Sequence, residues 1–307
     1  MDTKIVSTSP AATEILCALG LEGHLAGRSD DCNFPQNIQN LPVCNSKLSP
    51  SGINETLKGE NIPFNYDNQF AGQSVNWELV KDLAPEIIIT EFKIEKQKAT
   101  QNTPDNFLDE QRIVNAEIIS INTSSIAGIL DAVKTIAQVF DVLEKGNQLI
   151  EEIQERVDII RHKLKYTENK PQVCCINGLH PAIFSTGRIS ELVGIAGGLP
   201  IPVILDEYTA ECKFEDLLLL DPDILILMPF GYTIDQTLKE MNSFINHEEF
   251  VNLSAVRNNR FYIIDGNKSF NKPGPSIVDS IEILAEIINP KQFNFGFEGV
   301  DWVKFTF

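Results

Sequence analysis

Positive charge is in short supply in this chain. Its 25 Lys and Arg face 43 Asp and Glu, for a formal net charge of −18. An average surface this acidic argues against nucleic acid or an anionic membrane as partner, since both call for a basic face. Long apolar runs are missing too. No stretch approaches the ~18 residues of a transmembrane helix. The opening MDTKIVSTSP enters a strand-like segment with neither a basic nor an apolar leader region. The expected location is the cytoplasm, unless a leader has been removed. Histidine is scarce as well: His24, His162 and His247 fall in helical or turn-like surface contexts, leaving His180 alone near a strand end. The chain has no CxxC or zinc-ligand spacing, no HExxH, no nucleophile elbow and no Gly-rich phosphate loop. These absences leave no catalytic constellation and no metal site, so the expectation is a binding protein and not an enzyme. Asp30, Asp31 and Cys32 with Glu91 offer mixed hard and soft ligands, but without histidine they make a poor metal set. Five cysteines, Cys17, Cys44, Cys174, Cys175 and Cys212, read as buried thiols. Cys32 is the exception, because it lies in a polar loop.

What is present, 43% hydrophobic and 22% charged over 307 residues, suits one or two globular domains. The organising stretch runs from Ser124 to Tyr166. Apolar residues at Ile126, Ile129, Leu130, Val133, Ile136, Ala137 and Phe140 follow helical spacing, and the pattern restarts after Gly146. Two consecutive helices follow, the second over about Lys145–Lys165 and roughly 30 Å long at 1.5 Å per residue. On either side, strands alternate with helices, which predicts parallel sheets covered on both faces. The expected divisions are an α/β unit over 1–123, a helical segment over 124–170, a second α/β unit over 171–291 and an aromatic tail over 292–307. The tail is expected to pack back on the second unit or the first. The polar stretch Ser46–Ser74 reads as an excursion off the sheet, and Pro104–Val114 and Ile234–Phe244 as helices.

The two halves also match internally. Glu78-Leu-Val-Lys-Asp-Leu-Ala-Pro-Glu-Ile-Ile-Ile parallels Glu215-Asp-Leu-Leu-Leu-Leu-Asp-Pro-Asp-Ile-Leu-Ile. Residue 215 minus 78 and 222 minus 85 both give 137. This describes a short helix, ended by proline, that feeds a buried strand. An acid in the first helical turn also suits the helix dipole.

Several stretches, taken in order, resemble the substrate-binding proteins of ABC importers of the vitamin B12 and iron-siderophore type, above all those labelled cobalamin-binding. They include Ile5-Val-Ser-Thr-Ser-Pro-Ala-Ala-Thr-Glu-Ile-Leu, Asp31-Cys-Asn-Phe-Pro, Leu83-Ala-Pro-Glu-Ile-Ile-Ile, Phe184-Ser-Thr-Gly, Ile195-Ala-Gly-Gly and Asp265-Gly-Asn. The resemblance implies two Rossmann-like α/β lobes joined by a long rigid backbone helix, with a ligand clamped in the cleft between them. In parallel sheets, ligands sit beyond the carboxyl ends of strands. The expected contacts there are Asp31, Cys32, Phe34, Glu91, Phe92, His180, Arg188, Phe230, Tyr232 and Phe270. Aromatic walls with polar tips suit a corrinoid such as cobalamin or another metal chelate, carried as a ligand and not as an intrinsic cofactor. The chain departs from B12-binding relatives by placing Asp31, Gly72 and Glu91 where they carry tryptophan and tyrosine. The resemblance further implies a monomer that docks on a two-fold ABC permease through Glu78 and Glu215, one acid per lobe. A cytoplasmic sensor, storage or chelatase-like protein on the same scaffold is the alternative.

Overall fold

The computed structural model describes residues 3–30, 32, 36–47, 73–91, 115–180, 182–201, 212–267, 270 and 273–306. The chain divides into two compact units. The first comprises Met1–Glu152 with Pro273–Pro275, and the second Ile153–Lys272 with Ser276–Phe307.

In the first unit, β1 (Ile5–Ser7) leads into α1 (Pro10–Ala18). Ser9 caps this helix by accepting the Ala12 amide at 3.3 Å, and Pro10 starts it, where a missing N–H costs nothing. Then come β2 (Leu25–Ser29), β3 (Val43–Lys47), β4 (Gln73–Val75), α2 (Trp77–Leu83), β5 (Ile87–Thr90) and β6 (Glu117–Ser120). The sheet order is β4-β3-β2-β1-β5-β6, parallel except for β4, which runs antiparallel on β3. β1 and β5 are buried along their whole length, as strands covered on both faces must be. Alternate residues serve opposite cores: Ile89 packs with Ile15, Leu16 and Ile136, and Ile88 with Val6, Cys44 and Val80. The expected irregular excursion lies mostly outside the described residues, but it ends in the strand β4, which sequence pattern did not suggest. Pro104–Val114 also lies outside them.

The two central helices are α3 (Ile126–Val139) and α4 (Leu143–Leu164). The break falls at Phe140–Val142, where Asp141 adopts φ 54°, and not at Gly146. Gly146 sits inside α4 because a Cβ there would lie 2.5 Å from the Ala137 methyl of α3. α3 packs on the core of the first unit. The boundary between the units falls within the 22 residues of α4, so a single helix runs through it.

The second unit continues with β7 (Gln172–Leu179), β8 (Ala182–Phe184), α5 (Arg188–Ile195), β9 (Leu199–Pro200), α6 (Phe214–Leu220) and β10 (Ile224–Leu227). It ends with α7 (Ile234–Glu240), α8 (Asn242–Ile245), α9 (Ser254–Arg257), β11 (Phe261–Ile264), α10 (Ile277–Ile288) and β12 (Trp302–Phe305). Its sheet runs β12-β11-β10-β7-β8, with β9 beside β7. The inner strands are parallel, while β8 and β12 are antiparallel edges. The single helix expected over Ile234–Phe244 is two. Met241, buried with ψ near 0°, turns the chain between them. The aromatic tail does pack back, and it does so as strand β12.

Candidate functional site

Among the described residues, Cys32 and Glu91 follow the carboxyl ends of β2 and β5, and His180, Phe230 and Tyr232 those of β7 and β10, each edge held by local hydrogen bonding. In the first unit the chain leaves β1 through Thr8 and Ser9. Asn45 Nδ2 donates to Thr8 O at 3.1 Å, tying the end of β3 to the end of β1. The Arg28 guanidinium donates to the carbonyls of Ser29, Cys32 and Gln39 at 2.9–3.1 Å, which fastens the loop after β2. Within that loop Cys32 is only 2% exposed, contrary to its polar sequence setting. The cause is a non-local polar chain. Ser7 Oγ donates to Ser9 O, Thr13 Oγ1 donates to Ser7 Oγ, and the Cys32 thiol, 3.0 Å from Thr13 Oγ1, supplies the remaining donor. Cys32 is thus a buried member of a hydroxyl relay. Glu91 follows β5 and accepts a hydrogen bond from Thr123 Oγ1. Asp31, Phe34 and Phe92 lie outside the described residues.

In the second unit the Phe230–Tyr232 turn follows β10. The Phe230 amide donates to Asn177 O at 2.9 Å and the Gly266 amide to Tyr232 O at 2.8 Å. This places Phe230 and Tyr232, both half-buried, against the turn after β11. Gly266 is required there, since a Cβ would fall 1.8 Å from Pro229 O. Arg188 opens α5 behind Gly187, and His180 is exposed at the end of β7, its Nε2 3.8 Å from Glu240 Oε2. Phe270 is fully buried, so in this structure it is interior packing and presents no wall to a ligand. Gly266, Thr13 and Thr123 shape these edges without having been picked out by residue type. Gly266 and Thr13 do fall within the family-like stretches Asp265-Gly-Asn and Ile5–Leu16, whereas Thr123 falls in none.

Burial holds four of the six thiols in the protonated form. Burial pushes Cys44 up to about 11, and burial with Glu22 and Glu14 does the same to Cys17. Burial raises Cys175 and Cys212 to about 12. All are protonated near neutrality, unsuited to nucleophilic attack or metal ligation. Among the described residues no group of three or more His, Cys, Asp or Glu is placed to hold a metal ion.

The internal match of the sequence is a match of structure. α2 and α6 begin at Trp77 and Phe214 and end at Leu83 and Leu220, the same 137-residue offset at both ends. Each is closed by a left-handed residue that is not glycine, Ala84 at φ 46° and Asp221 at φ 36°. Such residues are uncommon, and these are two of the four among the described residues. Each cap leads through proline into an interior strand, β5 between β1 and β6, and β10 between β7 and β11. Glu78 and Glu215 are both exposed and both occupy the second helical position.

Comparison with known proteins agrees with this architecture. Residues 5–267 match the family described as periplasmic binding protein. An uncharacterized ABC transporter substrate-binding lipoprotein, YvrC of Bacillus subtilis, is 19% identical over 94% of this chain and 81% of its own length. A periplasmic heme binding protein from Pseudomonas aeruginosa superposes with a TM-score of 0.71 at 16% identity, covering 94% of each chain. The periplasmic vitamin B12 binding protein BtuF of Vibrio cholerae gives 0.69 at 18% identity, over 95% of this chain and 98% of its own. At these identities the structural likeness concerns the fold, and the family match spans most of the sequence. The chain belongs to the periplasmic binding protein family, as a substrate-binding component of the ABC-importer type and not an enzyme.

Proposed function

We propose that this protein captures a metal-centred macrocycle, a corrinoid or another metal chelate, and delivers it to an ABC permease. The apolar contacts expected for this ligand are Phe230, Tyr232, Phe34 and Phe92. Asp31, Arg188, Glu91 and His180 would supply the polar ones. Aromatic faces suit a large conjugated ring, and a few polar tips fix its orientation. The B12- and heme-binding neighbours of the same fold support this ligand class.

The observation that carries the delivery step is the repeated helix with its exposed acid, Glu78 in one unit and Glu215 in the other. A two-fold partner presents the same basic surface twice, so a carrier with one matched acid per unit meets both copies. The competing reading is that each acid only complements its helix N-terminus, for about 0.3–1 kcal/mol. Mutation separates the two. Glu78→Lys with Glu215→Lys is expected to abolish binding to the permease in membranes while leaving ligand affinity in solution unchanged. Rim charges steer encounter, so single reversals should weaken binding more at low salt than at high. Full permease binding by the double variant would remove the delivery role from these residues.

A further inference from the structure

Beneath α5 the strand β7 changes its neighbour. β10 runs along one edge of β7 from Val173 to Ile176. Two short strands share the other edge. β9 pairs with its start, at Gln172 and Val173, and β8 with its end, from Ile176 to Leu179. Just beyond β9 the Ile201 amide donates to Val173 O at 3.1 Å, and just beyond β8 the Ser185 amide donates to Cys175 O at 2.8 Å. β9 runs parallel to β7 and β8 antiparallel, so neither ladder continues the other. The edge of β7 therefore carries a join between Val173 and Cys175.

A cavity of about 10 Å³ lies at this join. It is lined by Val173 and Cys175 of β7, Ile201 beyond β9, Ser185 beyond β8, and Ser190 and Val193 of α5. Ser185 decides what the cavity can hold. It is 9% exposed, its Oγ is buried, and that oxygen makes no hydrogen bond among the described residues. A buried hydroxyl nearly always has a partner, because one without costs free energy. The Ser185 amide is already committed to Cys175 O, so the demand comes from the side chain alone. Ser190 brings a second hydroxyl to the same cavity. Apolar cavities stay dry, whereas a polar one of ~10–15 Å³ takes up a single water that a few groups can bond.

We propose that this join is a binding site for one internal water, held between the Ser185 and Ser190 hydroxyls and bridging the ends of β8 and β9. The volume admits nothing larger, and an apolar occupant would leave the Ser185 hydroxyl without a bond. The turn held in this way, through Thr186 and Gly187, is the one that leads into Arg188 and α5.

A crystal structure of the full chain, refined with its ordered solvent, tests this first. One water is expected within hydrogen-bonding distance of Ser185 Oγ and of a second polar group lining the cavity. Ser185→Ala then separates a hydrated site from a dry one by the sign of its effect. With water bound, the variant removes one of its bonds, so the water should be lost or reduced in occupancy and the urea midpoint should fall. In a dry cavity, the variant only removes an unbonded hydroxyl, and the midpoint should hold or rise. A cavity without density in the unmodified chain, or Ser185 Oγ bonded directly to a protein group, would overturn the proposal. So would an undiminished midpoint in Ser185→Ala, or a water kept there at full occupancy.

Discussion

Glu286 shows how much of this structure one buried side chain can organise. It lies on α10, 4% exposed, and accepts the backbone amides of Phe295, Gly296 and Phe297 together with the Trp302 indole N–H. Three consecutive amides aimed at one carboxylate fold the tail back so that β12 can pair with β11. Truncation would strand the buried Trp302 indole N–H, at about 1–3 kcal/mol, and leave three part-buried amides to water. Glu286→Ala is therefore expected to lower stability by about 1–3 kcal/mol, with Glu286→Gln intermediate, as read by urea denaturation. Trp302 emission should shift red in the alanine variant before global unfolding. No residue-type signal pointed to Glu286, because three of its four partners are backbone amides. Cys32 was misread for a related reason: its loop is polar, but Thr13 and Ser7, distant in sequence, enclose it. Phe270 looked like an exposed loop tip, and only tertiary packing shows it to be interior.

At the scale of elements, the strongest sequence signals came from regular chemistry. The run Ile87–Thr90 is β-branched throughout and Ile224–Leu227 is apolar throughout, and both are interior strands. The 137-residue repeat was legible because helix, proline and strand recur at fixed spacing, and the matching left-handed caps extend it into backbone geometry. The antiparallel edges were not legible. Gln73–Val75 is three residues long, and Trp302–Phe305 lacks a clean alternation, since its register depends on β11. Gly146 interrupts the apolar pattern, yet it lies within α4 at a close approach to α3. Replacing glycine by alanine within a helix ordinarily stabilises by up to about 1 kcal/mol. Here the added methyl would meet Ala137 at 2.5 Å, and overpacking costs about 1–3 kcal/mol, so the clash should win. Gly146→Ala is expected to destabilise the protein, and adding Ala137→Gly to recover most of that loss. If Gly146→Ala alone raised the denaturation midpoint, the close approach would have no energetic weight.

For the molecule as a whole, the architecture of two α/β units with one helix running through their boundary followed from pattern and resemblance together. The ligand contacts followed less completely. Asp31, Phe34 and Phe92 lie outside the described residues, and aromatic character alone does not distinguish a corrin from another conjugated ring. Average charge was the least informative quantity, because it conceals the paired acids at Glu78 and Glu215. The account's central claim is that this is a carrier for a metal-centred macrocycle or chelate. Its most direct test is native mass spectrometry, with a visible absorption spectrum, of the full chain purified from its own cells. The unliganded protein would then be titrated with cyanocobalamin, heme and a ferric siderophore. The account predicts a bound mass with a matching absorption band, and saturable binding to at least one of the three. A folded protein that carries no such mass and binds none of them would contradict it.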